Sequence, residues 1–232
     1  MNVLEKFLKV LFILCLPMML ITAGLAIPTV SASFYVSGFN RYDAGATTGF
    51  DQTALKAVAH GLVSYFNSNE EYINLTVIKD GQPFQVFNER EKVHLKDVKG
   101  LFRLDRTVLL GTGLYVIAYA AVSLLRRRRR PLAWSVVAGS SLTLGLMIAL
   151  GIGMLFDFDQ LLLQFHLLSF ANDFWQLDPA HDYLIMLVTR GFMYDSSFIC
   201  FGAAAFGALV LGATAGVYLF VTRRRKTIDH PA

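Results

Sequence analysis

The sequence predicts a mainly α-helical membrane protein: a four-transmembrane-helix bundle with a small extracytoplasmic α/β subdomain and an interfacial amphipathic helix. Three observations carry this expectation. Hydrophobic residues make up 55% of the 232 and charged residues only 16%. The apolar residues gather in four blocks, 10–27, 107–125, 131–156 and 198–222, each near or above the roughly 20 residues that cross about 30 Å of hydrocarbon. Lysine and arginine crowd the short segments on one side of those blocks.

That crowding predicts orientation, because cationic side chains resist translocation. Lys6 and Lys9 precede the first block within segment 1–27. Arg126 to Arg130 fill the whole connection 126–130, and Arg223, Arg224, Arg225 and Lys226 open the tail 223–232. All three places, and so both termini, are expected in the cytoplasm of a bacterial cell. Segment 28–106, with nine basic and nine acidic residues, and segment 157–197, with one Arg and six Asp, are then extracytoplasmic. The net charge of +4 is a sum over two compartments, and no nucleic-acid partner is expected from it. Residues 1–27 are read as the N-terminus and first span; the competing reading is a cleaved signal peptide ending in small residues such as Ala32, against which the apolar run is longer than a usual signal core. Cys15 and Cys200 both lie within the blocks, so they offer no outside disulfide framework or thiolate nucleophile.

Segment 28–106 reads as the α/β subdomain. Asp51 is suited to cap a helix over 52–66, and runs 73–78 and 84–87 flank an Asp80-Gly81 turn, the pattern of a β-hairpin. A second helix starts at Asn88, with Glu91 three positions on as its capping-box partner, and runs to Arg103 and into the second span. At 100° per residue, Arg90, Glu91, His94, Asp97, Val98 and Leu101 share one stripe, while Lys92, Lys96, Lys99 and Arg103 fall opposite, towards water or lipid phosphates. In segment 157–197 the run 157–175 is too polar for a span and too apolar for a free loop, so it reads as an interfacial helix. If continuous, it puts Asp159, Leu162, His166, Phe170 and Asp173 on one face. Asp178-Pro179 then signals another helix start.

The chain has no G-x-S-x-G elbow and no H-E-x-x-H zinc site, so serine-hydrolase and zinc-protease chemistry lose support. Two histidines, His94 and His166, fall on apolar faces on the same side of the membrane, as a proton-transfer pair would. The bland reading makes Glu91 only a cap, Asp97 a satisfied carboxylate and His94 an amphipathic filler. His60 reads as a helix-surface residue, His181 as part of a helix's first turn, and His230 as tail. No metal or cofactor is expected.

The run Arg90-Glu91-Lys92-Val93-His94-Leu95-Lys96-Asp97-Val98-Lys99 resembles the R-E-x-x-H-x-x-D-V-K signature of the bacterial lipoprotein intramolecular transacylases. The run from Phe165-His166 through Asn172-Asp173-Phe174-Trp175 to Leu177-Asp178-Pro179 is similar to that family's second signature. One departure is a missing proline in the stretch Leu187 to Phe192.

The resemblance implies an acyltransferase that moves an acyl chain from the glyceryl ester of a diacylated lipoprotein cysteine to that cysteine's own α-amine, giving an N-acylated lyso-form. Both reacting groups then belong to the substrate, which accounts for the missing nucleophile. His94 and His166 would divide general base and acid work in either order, supported by Glu91, Asp97, Asn172 and Asp173, with Arg90 and Arg41 favouring developing negative charge. The implied partners are the diacylated lipoprotein and membrane phospholipid. The alternative class is a small transporter or sensor using the outer His and Asp residues for proton relay or solute binding. The near absence of ionisable residues inside the spans weighs against it.

Overall fold

The computed structural model describes residues 3–229. The element order is α1 (Val3–Leu25), α2 (Ile27–Val30), α3 (Ala32–Arg41), α4 (Ala44–Thr48), α5 (Gln52–Asn67), β1 (Thr76–Lys79), β2 (Gln82–Gln85), α6 (Glu89–Leu125), α7 (Arg129–Ser169), α8 (Tyr183–Leu187) and α9 (Arg190–Asp229). Among the described residues, four helices, α1, α6, α7 and α9, are long and apolar enough to cross a membrane. The chain forms two compact units. One takes α1, residues 106–152 and the chain from Ile199 onward; the other takes residues 26–105 and 153–198.

In the first unit the long helices turn most of their apolar surface outward. No more than 28% of any of their most apolar stretches is buried inside the protein, and Leu110, Leu114, Ile117 and Phe206 stand exposed. In water such a surface would cost about 25 cal/mol per Å², whereas lipid accepts it. The interior is held by close approach of small residues, as in membrane helices generally. Gly139 has Leu16 where a Cβ would stand, and a Cβ on Gly24 would run into the Cys200 carbonyl. Phe12, Leu16 and Val116 pack together, with the Phe12 and Tyr119 rings 4.8 Å apart. The arginine connection ends α6 in a Schellman motif: Arg127 takes φ 57°, its N–H donates to the Leu124 carbonyl, and Arg128 N–H donates to Ser123.

The second unit is built on α5, whose start the Asp51 carboxylate caps by accepting the Ala54 N–H at 2.7 Å. Its apolar face carries Leu55, Val58, Ala59 and Leu62 into a core shared with Tyr35, Phe39, Ile73, Val77, Val86, Phe87 and Phe192. Rings of Tyr35 and Phe39 each meet Phe192 at 6.0 Å, and a Cβ on Gly38 would overlap that same ring. The strands pair antiparallel with Lys79 opposite Gln82, leaving Asp80 and Gly81 at φ 52° and 75°, the two positive values a tight type I′ turn requires. β1 is shorter than the run 73–78 that announced it, and β2 starts two residues before the run 84–87. Lys79 fixes the hairpin: Nζ donates to the Thr48 carbonyl and the Tyr183 hydroxyl, both at 2.7 Å, among the rings of Phe50, Phe84 and Tyr183.

Three expectations need correction. The interfacial helix is not continuous to Trp175. Asp157 breaks α7 with φ −157° and ψ 87°, its carboxylate caps the new run by accepting the Gln160 N–H at 2.9 Å, and the helix ends at Ser169. Asp173 therefore lies in a turn beyond it. Asp178-Pro179 starts no helix: Asp178 spends its acceptors on a turn, with Oδ1 taking the Ala180 N–H and its carbonyl taking the His181 and Asp182 N–H, so His181 belongs to that turn and α8 begins at Tyr183. Lys99 does not face water. It is 2% exposed, with Nζ bonded to Ser68 Oγ and the Glu70 carbonyl and 4.0 Å from the Tyr65 ring.

Phe39, wholly buried in the aromatic cluster, is among the largest fully buried side chains of this unit. Phe39→Ala is expected to lower stability by about 3–5 kcal/mol, seen as a lower Tm of the detergent-solubilised protein.

Candidate active site

The site is assembled from three stretches of the second unit: the first turns of α6, the end of α7, and the loop 170–176. His94 and Asp97 are one turn apart on α6, and His166 lies one turn before the end of α7. The two imidazoles stack with centroids 6.1 Å apart and planes inclined by 27°. Phe170 stands edge-on to His94 at 5.0 Å, and Trp175 lies against His166 at 4.9 Å.

The two rings differ in environment. His94 is 7% exposed, and its Nδ1 is buried with no hydrogen-bond partner among the described residues. Burial, and then the neighbouring His166, hold its pKa down at about 4 against an opposing pull from Asp97, so at neutral pH it carries no charge. His166 is only half-buried, and its Nδ1 lies 2.8 Å from the Leu162 carbonyl. A carbonyl only accepts, so Nδ1 carries the proton and Nε2 of the neutral ring holds the lone pair.

Glu91 is fully buried, and its carboxylate is directed at backbone. Oε2 accepts the Asn88 N–H at 2.7 Å while Asn88 Oδ1 accepts the Glu91 N–H at 3.0 Å, the reciprocal capping box. Oε1 accepts the Leu184 N–H at 2.5 Å, in the first turn of α8. Burial raises the Glu91 pKa, and Asp182 adds to it, against the amides of Leu184 and Asn88. Both oxygens thus serve helix starts, and among the described contacts neither reaches His94. Asp97 accepts from Asn172 Nδ2 at 2.8 Å, and Asn172 Oδ1 in turn accepts the Phe174 N–H, so the loop after His166 is tied to the helix of His94. Arg90 makes a second tie, donating to the Asp173 carbonyl at 2.7 Å. Among the described residues, the Asp173 carboxylate accepts from Gln176 Nε2 at 3.2 Å.

Arg41 belongs elsewhere: it pairs with Asp195 at 3.2 Å, and the Tyr42 hydroxyl donates to the same oxygen at 2.7 Å. His60 and His181 are exposed, and His230 lies outside the described residues. Where the sequence lacks a proline before Phe192, Thr189 takes over the start of α9, its Oγ1 accepting the Phe192 N–H at 3.2 Å. Two residues were overlooked in the sequence. Asp182, 7% exposed, accepts from Asn88 Nδ2 and the Asp178 N–H, both at 2.7 Å. Trp175 covers one face of His166; its place ten residues from Phe165 and outside any helix left no periodic signal for that contact.

The family model for the lipoprotein intramolecular transacylase Lit matches residues 10–193. The chain belongs to this family. It is an acyltransferase of the lipoprotein intramolecular transacylase class and a multi-pass membrane protein. A solved structure of the membrane-integral lipoprotein intramolecular transacylase Lit from Bacillus cereus has the same fold, with a TM-score of 0.82 at 17% identity over 96% of this chain and 98% of that one. A second structure of that protein, with a histidine mutated to arginine, gives a TM-score of 0.77 at 17% identity over 96% and 95%. A third, with a histidine mutated to alanine, gives 0.77 at 16% identity over 96% of each. No match was found among curated proteins.

Two outcomes follow from the site. Glu91→Ala strands the Asn88 and Leu184 amides, which at about 1–3 kcal/mol for each unsatisfied group predicts a loss of about 2–6 kcal/mol, whereas Glu91→Gln retains an acceptor and loses less; thermal unfolding ranks the two. For His94 the native pKa is below the unfolded value near 6.5. Above pH 6.5 both states are neutral and nothing is lost; as pH falls from 6.5 towards 4 the unfolded state takes up a proton that the native state refuses, so stability falls, by up to about 3 kcal/mol. His94→Gln should flatten that part of a Tm-against-pH profile.

Proposed function

We propose that this chain transfers an acyl chain within one diacylglyceryl-cysteine lipoprotein, from the glyceryl ester to the α-amine of the same cysteine, using His94 and His166 on the extracytoplasmic face. The observation that carries the reading is the stacked pair, one imidazole buried and neutral and the other half-buried beside an indole. It joins two imidazoles of unlike burial where one substrate must lose a proton and regain one.

The amine attacks the ester carbonyl, and the new C–N bond leaves a positive charge on nitrogen and a negative charge on oxygen. His94, unprotonated through burial, takes the proton from nitrogen, and Asp97 one turn on favours the imidazolium that results. His166, in its imidazolium form, gives a proton from Nε2 to the departing glyceryl oxygen as the C–O bond breaks, with Nδ1 held by the Leu162 carbonyl. The Trp175 face stabilises that imidazolium by a cation–π contact. One proton passing from His94 to His166 restores the starting state. Arg90, on the same stripe of α6 as His94, favours the oxyanion. Asn172, Asp173 and Glu91 position the parts: Asn172 and the Asp173 carbonyl hold the loop after His166, and Glu91 holds the helix of His94. Having both reacting groups on one molecule contributes much of the acceleration, since effective molarities of well-oriented partners reach about 10⁵ M or more.

The basic connection 126–130 and tail support cytoplasmic termini, which puts the second unit outside, where a lipoprotein's modified N-terminus is presented. The lipoprotein is thus the partner, and phospholipid the solvent of the first unit.

Expression in cells that otherwise make only the diacyl form, followed by mass spectrometry of lipoprotein N-termini, tests the reading. The N-acylated lyso-form is expected from the wild type and should fall at least 100-fold in His94→Ala and His166→Ala at equal membrane levels. Lyso-form at wild-type levels from either variant removes that histidine from the mechanism.

A further inference from the structure

The site borders a cavity of about 520 Å³, walled by α6 from Lys96 to Arg103, by residues 69–71 and by residues 169–172. Asp97, Phe170 and Asn172 belong to both, so the cavity opens directly beside the histidine pair. We infer that this cavity receives the polypeptide that follows the acylated cysteine of the substrate, along the wall in which Gly100 lies. The assignment rests on the acyl-transfer reading above.

The first support is the division of polarity across the site. Around His166 the helix end presents Phe165, Leu167 and Leu168 at 49%, 55% and 86% exposure. Across the Asp97–Asn172 bond the cavity wall is Lys96, Lys99 and Arg103 interleaved with Glu70 and Glu71. An amphiphile whose reacting atoms lie between the imidazoles has its acyl chains on the first side and its hydrophilic part on the second. In a lipoprotein that hydrophilic part is a peptide chain.

The second support is the partnering of the charges. Lys96 Nζ is 2.7 Å from Glu71 Oε1, Lys99 Nζ is held by Ser68 Oγ and the Glu70 carbonyl, and Arg103 donates to the Ser68 carbonyl at 3.3 Å. A phosphate would need cations without such partners to offset its desolvation. A neutral chain of amides and carbonyls needs only a polar wall of both signs, which is what is present.

The third is Gly100. It lies inside α6, where glycine costs about 0.5–1 kcal/mol relative to alanine. A Cβ there would meet nothing within 4 Å, so no packing contact demands its absence. It lies in the cavity wall six residues beyond His94, about 9 Å along the helix. That equals the length of about three extended residues, the first ones after the cysteine.

The test uses the full-length protein in lipid and two synthetic substrates, a diacylglyceryl-cysteine followed by several residues and the same lipid on cysteine amide with no residue after it. The wild type should convert both, with the lower KM for the tailed form. Gly100→Trp, filling the cavity, should raise KM for the tailed substrate at least tenfold, leave its kcat within twofold, and leave the tailless substrate unaffected. A wild type with equal KM for the two, or a Gly100→Trp protein with unchanged KM for the tailed form, overturns the assignment. So does an equal loss on both substrates at an unchanged Tm. Conversion of neither substrate by the wild type instead overturns the acyl-transfer reading, and this assignment with it.

Discussion

Glu91 brings a carboxylate to zero exposure and directs both of its oxygens at peptide N–H groups. A buried carboxylate is costly unless its lone pairs are taken up, and the groups that take them up are the starts of two helices. Through Asn88 the same contact reaches Asp182, which holds the Asp178 N–H and so the turn before α8. Tyr183, the first residue of α8, receives Lys79 from the hairpin. One carboxylate therefore joins α6 to α8, and around that joint are grouped the hairpin, the turn at Asp178 and the helix that carries His94.

With α6 held, the histidine pair is shaped by unequal water access. His94 faces inward on a helix whose outer side is covered by residues 68–72 through Lys96 and Lys99. Its imidazole is thereby kept neutral, while His166, on the last turns of a helix that starts afresh at Asp157, stays half in contact with water. A carboxylate that leaves helical geometry and caps the next run redirects the chain in a single residue. The ties Arg90 to Asp173 and Asn172 to Asp97 then bring the loop after His166 back over α6.

Much of this was legible where the signal is local. Asp51, the Asn88 and Glu91 capping box and the Asp80-Gly81 turn act over two to four residues, and each formed as its spacing required. The four apolar blocks were legible because hydrocarbon thickness imposes a length. The failures are equally physical. Pro179 satisfies the local rule for a helix start, but Asp178 and Asp182 take the neighbouring amides into a turn, a choice decided by Asn88 from 94 positions away in the chain. Lys99 obeys the helical wheel and still lies buried, because the loop at 68–70 offers its ammonium a hydroxyl and a carbonyl and α5 offers it the Tyr65 ring. Arg41 carried no local signal of its partner, Asp195, which lies far along the chain.

By itself, the sequence determined the number of the apolar helices, the charge asymmetry of their connections and the two histidine motifs, since these depend on composition and on spacing along the chain. The tertiary structure alone decided that the motifs meet, that Glu91 serves helix starts while Asp97 and Asn172 link the two stretches, and which imidazole is kept from water. Those outcomes depend on desolvation and on hydrogen bonds between residues far apart in the chain, which no local spacing encodes.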